Sequence, residues 1–139
     1  MSNPNHDPLF DGIFYLEDSD FTSDGKLIPH KDDEGKVYVV MIFATWCGPC
    51  KTTKPEYAKL LKELDPSKCR VACINGSGSK GSNPTTQGEQ DLMKRLSGIV
   101  PFQGFPTICI FGKDGKFKEI HKGPRTANAI KDTISKYIY

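Results

Sequence analysis

The junction between an apolar run and two closely spaced cysteines constrains this fold more than any other feature of the sequence. Residues 37–43 read Val-Tyr-Val-Val-Met-Ile-Phe, and Trp46-Cys47-Gly48-Pro49-Cys50 follows after two further residues. An apolar run rich in β-branched and aromatic side chains, without polar alternation, is typical of a strand covered on both faces. Such a strand lies in a sheet between layers of helices, so the junction predicts an α/β fold.

Hydrophobic periodicity and turn residues extend this alternation of strands and helices to the end of the chain. The predicted elements are a helix after Cys50 that is kinked by Pro55 and ended by Asp65-Pro66, a strand at 69–75, a helix from Thr86 to Gly98, a hairpin of strands at 107–111 and 117–120, and a helix from Thr126. Thr86 and Glu89 have the spacing of a capping box, which marks the start of the third of these elements. Gly98 suits the C-terminal stop of the same helix.

Two segments fall outside this alternation. Residues 1–36 carry nine acidic residues against three lysines, a balance of −6 that leaves +8 for residues 37–139. We expect residues 1–36 to be an acidic N-terminal extension with one or two edge strands, one of them near 13–16. Residues 37–139 are expected to form the main domain, with a Gly/Ser-rich loop insertion at about 76–86.

Cysteines two residues apart at the start of a helix have the arrangement that thiol–disulfide exchange needs. If the helix begins just after Cys47, its unpaired N–H groups and positive dipole end favour a Cys47 thiolate, the expected exposed nucleophile. Cys50 lies one turn further on the same face, where the more buried thiol can resolve a mixed disulfide. Gly48 and Pro49 fill the first turn, where a proline interrupts no hydrogen bond.

A zinc site is the alternative reading of the cysteines. Cys47, Cys50, Cys69 and Cys73 come near a four-cysteine zinc pattern. Cys69 and Cys73 would lie about 13 Å apart on one strand at ~3.3 Å per residue, too far to bind the same ion. No metal or organic cofactor is therefore expected, and Cys69, Cys73 and Cys109 are expected to be small buried apolar residues.

Composition and charge indicate the cellular compartment of the chain and argue against some classes of partner. A net charge of +2 gives no reason to expect nucleic acid, and no apolar stretch approaches the ~20 residues that cross a bilayer. The opening residues MSNPNHDPLFDG lack the basic and apolar regions of a secretory signal. Five cysteines, an odd number, suit free thiols in a reducing compartment. We therefore expect a cytoplasmic monomer with no membrane or nucleic-acid partner.

The run Ala44-Thr45-Trp46-Cys47-Gly48-Pro49-Cys50-Lys51 resembles the active-site segment of the thioredoxin superfamily. Pro55 matches the family's helix-kinking proline, and Phe105-Pro106-Thr107 matches its cis-proline element. The resemblance covers roughly residues 36–138 and implies a thioredoxin fold, with a central mixed β-sheet flanked by helices on both faces. It also implies a cis Phe105–Pro106 bond beside the cysteines, with Phe105, Pro106 and Trp46 contacting substrate.

The sequence combines features that resemble different groups within the thioredoxin superfamily. The Gly-Pro insert is typical of thioredoxins, whereas 104–108 and 123–126 resemble catalytic domains of protein disulfide isomerases. In those domains a loop arginine, matched here by Arg125, can swing toward the second cysteine and lower its pKa. The isomerases typically carry His at the position of Pro49, and its absence argues against a strong oxidant. Residues 24–51 are also similar to membrane-tethered or cytosolic reductants.

Met41 is the main departure from the family pattern. The family usually holds a buried carboxylate at this position, six residues before the first cysteine, and a lysine on the next strand at the position of Cys73. Both are absent here, which is physically consistent, because removing one partner alone would leave a buried charge unpaired. The resolving thiol must then lose its proton to water, to the departing substrate thiolate, or with help from Arg125.

The sequence as a whole predicts a thiol–disulfide oxidoreductase that reduces protein disulfides through Cys47 and Cys50. Its partners would be protein disulfide substrates and a reductase or small-thiol electron donor. Two alternatives stay open: an isomerase- or oxidase-like activity, and a thioredoxin-fold binding module whose cysteines are incidental.

Overall fold

Five strands form one mixed sheet in the computed structural model, which describes residues 10–77, 86–101 and 104–138. The strands lie side by side in the order β1-β3-β2-β4-β5. They are β1 Phe14–Tyr15, β2 Val37–Phe43, β3 Cys69–Asn75, β4 Thr107–Phe111 and β5 Phe117–Ile120. The α-helices are α1 Gly48–Ala58, α2 Leu60–Glu63, α3 Gln87–Leu96 and α4 Ala127–Ile138.

The central strand is β2, and all seven of its residues are buried. It runs parallel to β3 and antiparallel to β4, so Met41 lies opposite Cys73 on one side and Ile108 on the other. Side chains of α1 and α4 pack on one face of the sheet, and those of α3 pack on the other. The predicted α/β class, a mixed sheet with helices on both faces, is confirmed.

Most element boundaries follow the sequence pattern, because they are set by buried runs and caps. The strand predicted at 69–75 and the hairpin at 107–120 are present. Thr86 caps α3 as predicted: its hydroxyl accepts the Glu89 N–H, and the Glu89 carboxylate accepts the Thr86 N–H. The final helix begins at Ala127, one residue after the predicted start.

Two helix ends differ from the prediction. The helix after Cys50 is not continuous, since α1 ends at Ala58, α2 begins at Leu60 and Leu64 is already extended. Gly98 does not stop α3; the helix ends at Leu96, with Ser97 in a right-handed conformation. No left-handed glycine is needed there, because the N–H groups of the next turn continue to bond the carbonyls of Met93 and Leu96.

The described part of the N-terminal segment packs into the core of the domain. β1 lies at the sheet edge, parallel to β3, within the expected region 13–16. Apolar side chains from this segment are buried, among them Phe10, Leu16, Phe21 and Leu27. The boundary drawn at residue 36 stays a prediction, and residues 78–85 of the expected loop insertion lie outside the described residues.

Candidate active site

Three connections meet at one edge of the sheet and form the site. β2 and β3 are parallel, and their last residues Phe43 and Asn75 lie opposite each other. β4 runs the other way, so its first residue Thr107 pairs with Ile42 near the same edge. The segments that carry the cysteine pair, the residues after β3 and the Phe105–Pro106 turn are therefore neighbours, although they are far apart in sequence.

Cys47 lies at the N-cap of α1, as the sequence predicts. Its sulfur accepts a hydrogen bond from the Cys50 N–H at 3.2 Å, and its S–H donates to the Phe105 carbonyl oxygen at 3.4 Å. Pro49 occupies the first turn, and both Gly48 and Pro49 are exposed. The first N–H groups of α1 and the direct Cys50 amide contact therefore surround the Cys47 sulfur with hydrogen-bond donors.

The two thiols differ in burial. Cys47 is 6% exposed and Cys50 is 0% exposed. The order agrees with an outer nucleophile and an inner resolving thiol, but Cys47 is more buried than the sequence suggests, because the Phe105 carbonyl lies over its sulfur. The pKa of Cys50 is raised to about 12, mainly because the thiol is buried and secondly because of the neighbouring Cys47. Cys50 is therefore a thiol at neutral pH and must lose a proton when it attacks.

The Phe105–Pro106 turn lies directly against the cysteine pair. The Phe105–Pro106 peptide bond is cis, and the Phe105 carbonyl faces the Cys47 sulfur. The Phe105 ring meets Trp46 edge to face, with the two centroids 5.6 Å apart. Gly76 permits this approach, because a Cβ there would lie 2.8 Å from the Phe105 ring. Trp46, which is 41% exposed, forms the open apolar border of the site.

Ser77 and Asn75 hold Trp46 in place, and sequence reasoning did not identify either residue. The Trp46 indole N–H donates to the Ser77 carbonyl oxygen at 2.9 Å. The Ser77 hydroxyl accepts the Thr45 N–H at 2.8 Å and donates to the Asn75 side-chain oxygen at 2.6 Å. The same Asn75 oxygen accepts the Ser77 N–H. The Asn-Gly-Ser turn sequence was the available signal, but nothing local links it to a tryptophan 31 residues earlier.

Arg125 borders the site without reaching the resolving thiol. Its side chain is exposed, and Nη2 donates a hydrogen bond to the Pro106 carbonyl oxygen at 3.4 Å. A cleft of about 1020 Å³ opens on this side of Pro106, lined in part by Phe117, His121 and Arg125. The arginine is thus placed beside the substrate-facing turn, and its predicted swing toward Cys50 stays a prediction.

The remaining cysteines lie inside the core. Cys69, Cys73 and Cys109 are buried free thiols. Burial raises the pKa of Cys69 and of Cys109 to about 12 and raises the pKa of Cys73 well above its usual value. Within the described ranges, no group of three or more His, Cys, Asp or Glu side chains could hold a metal ion. No helix in that part of the chain is both long and apolar enough to span a membrane.

Comparison with known families agrees with this geometry. The thioredoxin family model matches residues 28–136, which include the cysteine pair, the Phe105–Pro106 turn and Arg125. This chain belongs to the thioredoxin family. The match begins before β2, so part of the N-terminal segment is included in the family domain. Thiol–disulfide exchange is therefore the class of chemistry that family membership supports.

Curated relatives of this thioredoxin-family chain include much longer proteins. It is 37% identical over 120 residues to a protein disulfide-isomerase A6 homolog of Drosophila melanogaster, covering 86% of this chain and 23% of the relative. It is 33% identical over 124 residues to the Caenorhabditis elegans homolog, covering 89% and 23%. The chain thus spans about a quarter of the length of these relatives.

Solved structures confirm the thioredoxin fold. The first thioredoxin domain of mouse protein disulfide-isomerase A4 aligns with a TM-score of 0.61 at 26% identity, covering 93% of this chain and 77% of that one. The exposed lipoprotein thioredoxin Etrx1 of Streptococcus pneumoniae aligns with a TM-score of 0.61 at 22% identity, covering 84% and 96%. The likeness to Etrx1 is a likeness of fold.

Proposed function

We propose that this protein reduces disulfides in other proteins, with Cys47 as the nucleophile and Cys50 as the resolving thiol. The observation that carries the proposal is the placement of Cys47 at the N-cap of α1, where it accepts the Cys50 N–H and faces the Phe105 carbonyl. Helix N-termini are where nucleophilic cysteines are commonly placed, and the second thiol lies one turn away. The exposed Trp46 provides an apolar surface beside the reacting sulfur.

The reaction proceeds in two exchanges. The Cys47 thiolate attacks a substrate disulfide, forms a mixed disulfide and releases one substrate sulfur as a thiolate, which takes up a proton. Cys50 then loses its proton and attacks the Cys47 sulfur, releasing the second substrate sulfur. The substrate gains two electrons, and Cys47 and Cys50 become a disulfide. Phe105 and Pro106 are proposed to align an extended substrate strand during both exchanges.

Pro49 favours reduction over oxidation as the direction of the reaction. A proline between the cysteines supplies no positive charge, whereas a protonated histidine there would stabilise the thiolate and make the disulfide a stronger oxidant. Isomerisation is the second candidate, favoured by the isomerase relatives. The reduction potential distinguishes the two: a value near about −270 mV supports the reductase, and one near about −180 mV supports the isomerase.

Trapping of substrates tests the residue roles. In Cys50→Ser, the mixed disulfide on Cys47 cannot resolve, so partner proteins are expected to remain attached through a bond that a reductant cleaves. In Cys47→Ser, both trapping and disulfide reduction should be lost. Full biological activity of Cys47→Ser would instead support a binding module whose cysteines are incidental.

The same proposal includes a cytoplasmic location, a monomeric state and an electron donor. Three unpaired core thiols suit a reducing compartment. In the described ranges, the large hydrophobic side chains that are exposed are Trp46, which belongs to the site, and Ile28, which does not. Isolated exposed apolar side chains of this kind suit a monomer. A reductase or a small thiol must regenerate the dithiol after each turnover. Cell fractionation, light scattering and turnover with each class of donor test these three points.

A further inference from the structure

Lys54 lies one helical turn after Cys50, with its ammonium held over two aromatic rings. The Lys54 Nζ is 4.7 Å from the centroid of Phe43 and 5.3 Å from that of Phe10. Phe10 and Phe43 are 0% and 2% exposed, and their rings meet edge to face. Cation–π attraction holds the Lys54 ammonium over the two rings. Because the rings exclude water on that side, the electric field of the ammonium is screened less than it would be in solvent.

Lys54 and the resolving thiol share one face of α1. Residues four apart share one face of a helix, so Cys50 and Lys54 project from the same side of α1. Cys50, Phe10 and Phe43 belong to one buried cluster, which also contains Cys73. Burial raises the pKa values of Cys50 and Cys73, and the charge of Lys54 acts in the opposite direction on both.

The other titratable groups that surround Cys50 and Cys73 do not lower the pKa values of these two thiols. Cys47 raises the pKa of Cys50, and Glu89, across the sheet on α3, raises that of Cys73. Tyr57 lies in the same cluster, and burial raises its pKa well above the usual value, so it stays neutral. Tyr15 contributes a second phenol against Phe43. Lys54 is therefore the group among these whose charge favours a Cys50 thiolate.

We propose that Lys54 is a positioning residue for the resolving step, stabilising the Cys50 thiolate electrostatically from the same face of α1, beside a core in which Met41 and Cys73 lie opposite each other. The proposal deepens, and rests on, the proposed disulfide exchange. When Cys47 forms a mixed disulfide, its sulfur bears no negative charge and no longer raises the pKa of Cys50. The attraction between the Lys54 ammonium and a Cys50 thiolate remains.

The proton and electrons balance without a buried base. Cys50 gives its proton to solvent, and its electron pair forms the bond to the Cys47 sulfur. The bond between Cys47 and the substrate breaks, and the substrate sulfur leaves with the bonding pair and takes a proton from solvent. Lys54 accepts no proton at any point, because an ammonium is already protonated. It lowers the free energy of the intermediate in which Cys50 is charged.

Three substitutions and one matched control test this role. Lys54→Met keeps the aliphatic packing on the rings and removes the charge, whereas Lys54→Arg keeps both the charge and the ring contact. Lys54→Gln removes the charge with a polar side chain. Lys62→Gln, an exposed lysine on α2, is the control for the loss of one positive charge. Melting temperatures verify that each variant is folded.

Stopped-flow fluorescence of Trp46, the only tryptophan in the sequence, separates the two exchanges. The second-order rate with dilute disulfide reports attack by Cys47, and the saturating rate reports resolution by Cys50. Lys54→Met and Lys54→Gln should slow the saturating rate at pH 7 and move its pH profile to higher pH. The expected loss is about threefold per unit rise in the Cys50 pKa, because the thiolate fraction falls tenfold while its nucleophilicity rises with a Brønsted slope of about 0.5. Lys54→Arg should retain the wild-type profile.

A second measurement does not depend on turnover. In a Cys47→Ala background, the rate of Cys50 alkylation between pH 7 and 9, read peptide by peptide by mass spectrometry, follows its thiolate fraction. Adding Lys54→Met should lower this rate about threefold per pKa unit, and adding Lys62→Gln should not.

The outcomes distinguish this proposal from the reductase proposal. It is overturned if Lys54→Met matches Lys62→Gln in both assays, or if Lys54→Arg is slowed as much as Lys54→Met with no shift in pH profile. If Cys47→Ser abolishes reduction while Lys54→Met changes nothing, the reductase proposal stands and the Lys54 proposal falls. If the wild type reduces no disulfide, the reductase proposal fails, and the Cys50 alkylation rates still decide whether Lys54 stabilises the thiolate.

Discussion

Met41 lies at the centre of the sheet, 0% exposed, with Cys73 opposite it on the neighbouring strand. An aspartate introduced at this position would be desolvated and would lack a positively charged partner on β3, where Cys73 lies opposite it. Burying one unpaired carboxylate costs several kcal/mol, so neutral side chains at both positions keep the core stable. The consequence is that neither side chain of the Met41–Cys73 pair is a carboxylate that could take the Cys50 proton.

Met41→Asp is expected to lower the melting temperature at pH 7 by about 10 °C, equivalent to roughly 3 kcal/mol in a domain of this size. Burial raises the pKa of the new carboxyl above its unfolded value, so the part of the penalty that comes from the charge should disappear as the pH falls toward 4 and the group is protonated. Met41→Leu, a volume-conserving control, should cost less than about 1.5 kcal/mol. Thermal melts from pH 4 to 8 measure both, and an unchanged melting temperature for Met41→Asp at pH 7 contradicts the argument.

The buried side chain of Asp33 is kept ionised by the groups around it. The carboxylate is 1% exposed and accepts hydrogen bonds from Arg70 at 2.7 and 2.9 Å, from Lys36 at 2.8 Å and from the Tyr38 hydroxyl at 3.0 Å. Burial alone would raise the pKa of Asp33, but the hydrogen bonds from these three partners outweigh it and hold the pKa well below the usual range. The ionised form is thus part of the folded structure.

Because the Asp33 pKa is lower in the folded chain than in the unfolded chain, its stabilisation is present above about pH 4, the unfolded value. It is lost as the pH falls below that value. Asp33→Asn should therefore lower the free energy of unfolding at pH 7 by about 3 kcal/mol and flatten the loss of stability below pH 4. Asp32→Asn, which changes the exposed neighbouring carboxylate, is the control. Urea titrations at pH 3 and pH 7 test this, and equal losses for both variants at pH 7 refute it.

At the scale of elements, the ends of β2 and β3 determine the geometry of the site. The residues directly after β3 contact the segment after β2 through the Ser77 carbonyl and hydroxyl. The exposed indole of Trp46 is therefore held by its hydrogen bond to the Ser77 carbonyl as well as by its edge-to-face contact with Phe105. This arrangement keeps an apolar ring in a defined orientation at the surface, where a substrate can contact it.

Ser77→Ala removes the hydroxyl and leaves the Thr45 N–H without that acceptor. We expect the kcat/KM for disulfide reduction to fall roughly fivefold, equivalent to about 1 kcal/mol, mainly through KM. Acrylamide should also quench the Trp46 fluorescence more strongly, because the ring is less firmly held. Ser135→Ala, in an exposed position on α4, controls for loss of a surface hydroxyl. If quenching and KM are the same in both variants, the Ser77 hydroxyl does not position Trp46.

The elements that the sequence predicts well are those set by local patterns. β2 and β3 are buried on both faces, so their boundaries follow the apolar runs, and a capping box marks the start of α3. The cysteine pair at a helix start is also a local feature. The contacts of Trp46 with Ser77 and of Lys54 with Phe10 are different, because each joins residues more than 30 positions apart. No spacing rule connects such residues before the strand order is known.

At the scale of the whole molecule, the N-terminal segment connects parts of the domain that the central sheet leaves apart. The Leu27 N–H donates to the Gly115 carbonyl oxygen at the hairpin turn, where Gly115 has φ +82° and a Cβ would lie 2.4 Å from the Leu27 oxygen. The Thr86 hydroxyl donates to Glu17 at 3.1 Å, which joins the segment to α3. Apart from the predicted edge strand near 13–16, the apolar residues of this segment are separated by polar and charged ones without a helical or strand period, which is why the sequence predicts no further packed elements there.

Removal of residues 1–36 is therefore expected to prevent cooperative folding of 37–139. The deletion takes away Phe10, Leu16, Phe21 and Leu27, and large buried side chains each contribute about 2–5 kcal/mol, against a total stability of about 5–15 kcal/mol for a typical domain. It also exposes the edge of β3 that β1 covers. Calorimetry should give no sharp transition for the fragment, and a dye that binds exposed apolar surface should fluoresce with it but not with the full chain.

Phe10→Ala tests the same contribution in the full-length chain, and it links stability to the chemistry of the site. The substitution should lower the free energy of unfolding by about 3–5 kcal/mol, because it empties a fully buried position among three other aromatic rings. It also removes one of the two rings beneath Lys54, so the pH profile of resolution should move to higher pH, in the same direction as in Lys54→Met. Leu27→Ala, on the opposite face of the sheet, should lower stability by about 2–5 kcal/mol without moving that profile. A fragment 37–139 that melts like the full chain would show that the N-terminal segment does not complete the core. Identical pH profiles for Phe10→Ala and Leu27→Ala would show that the segment does not support Lys54.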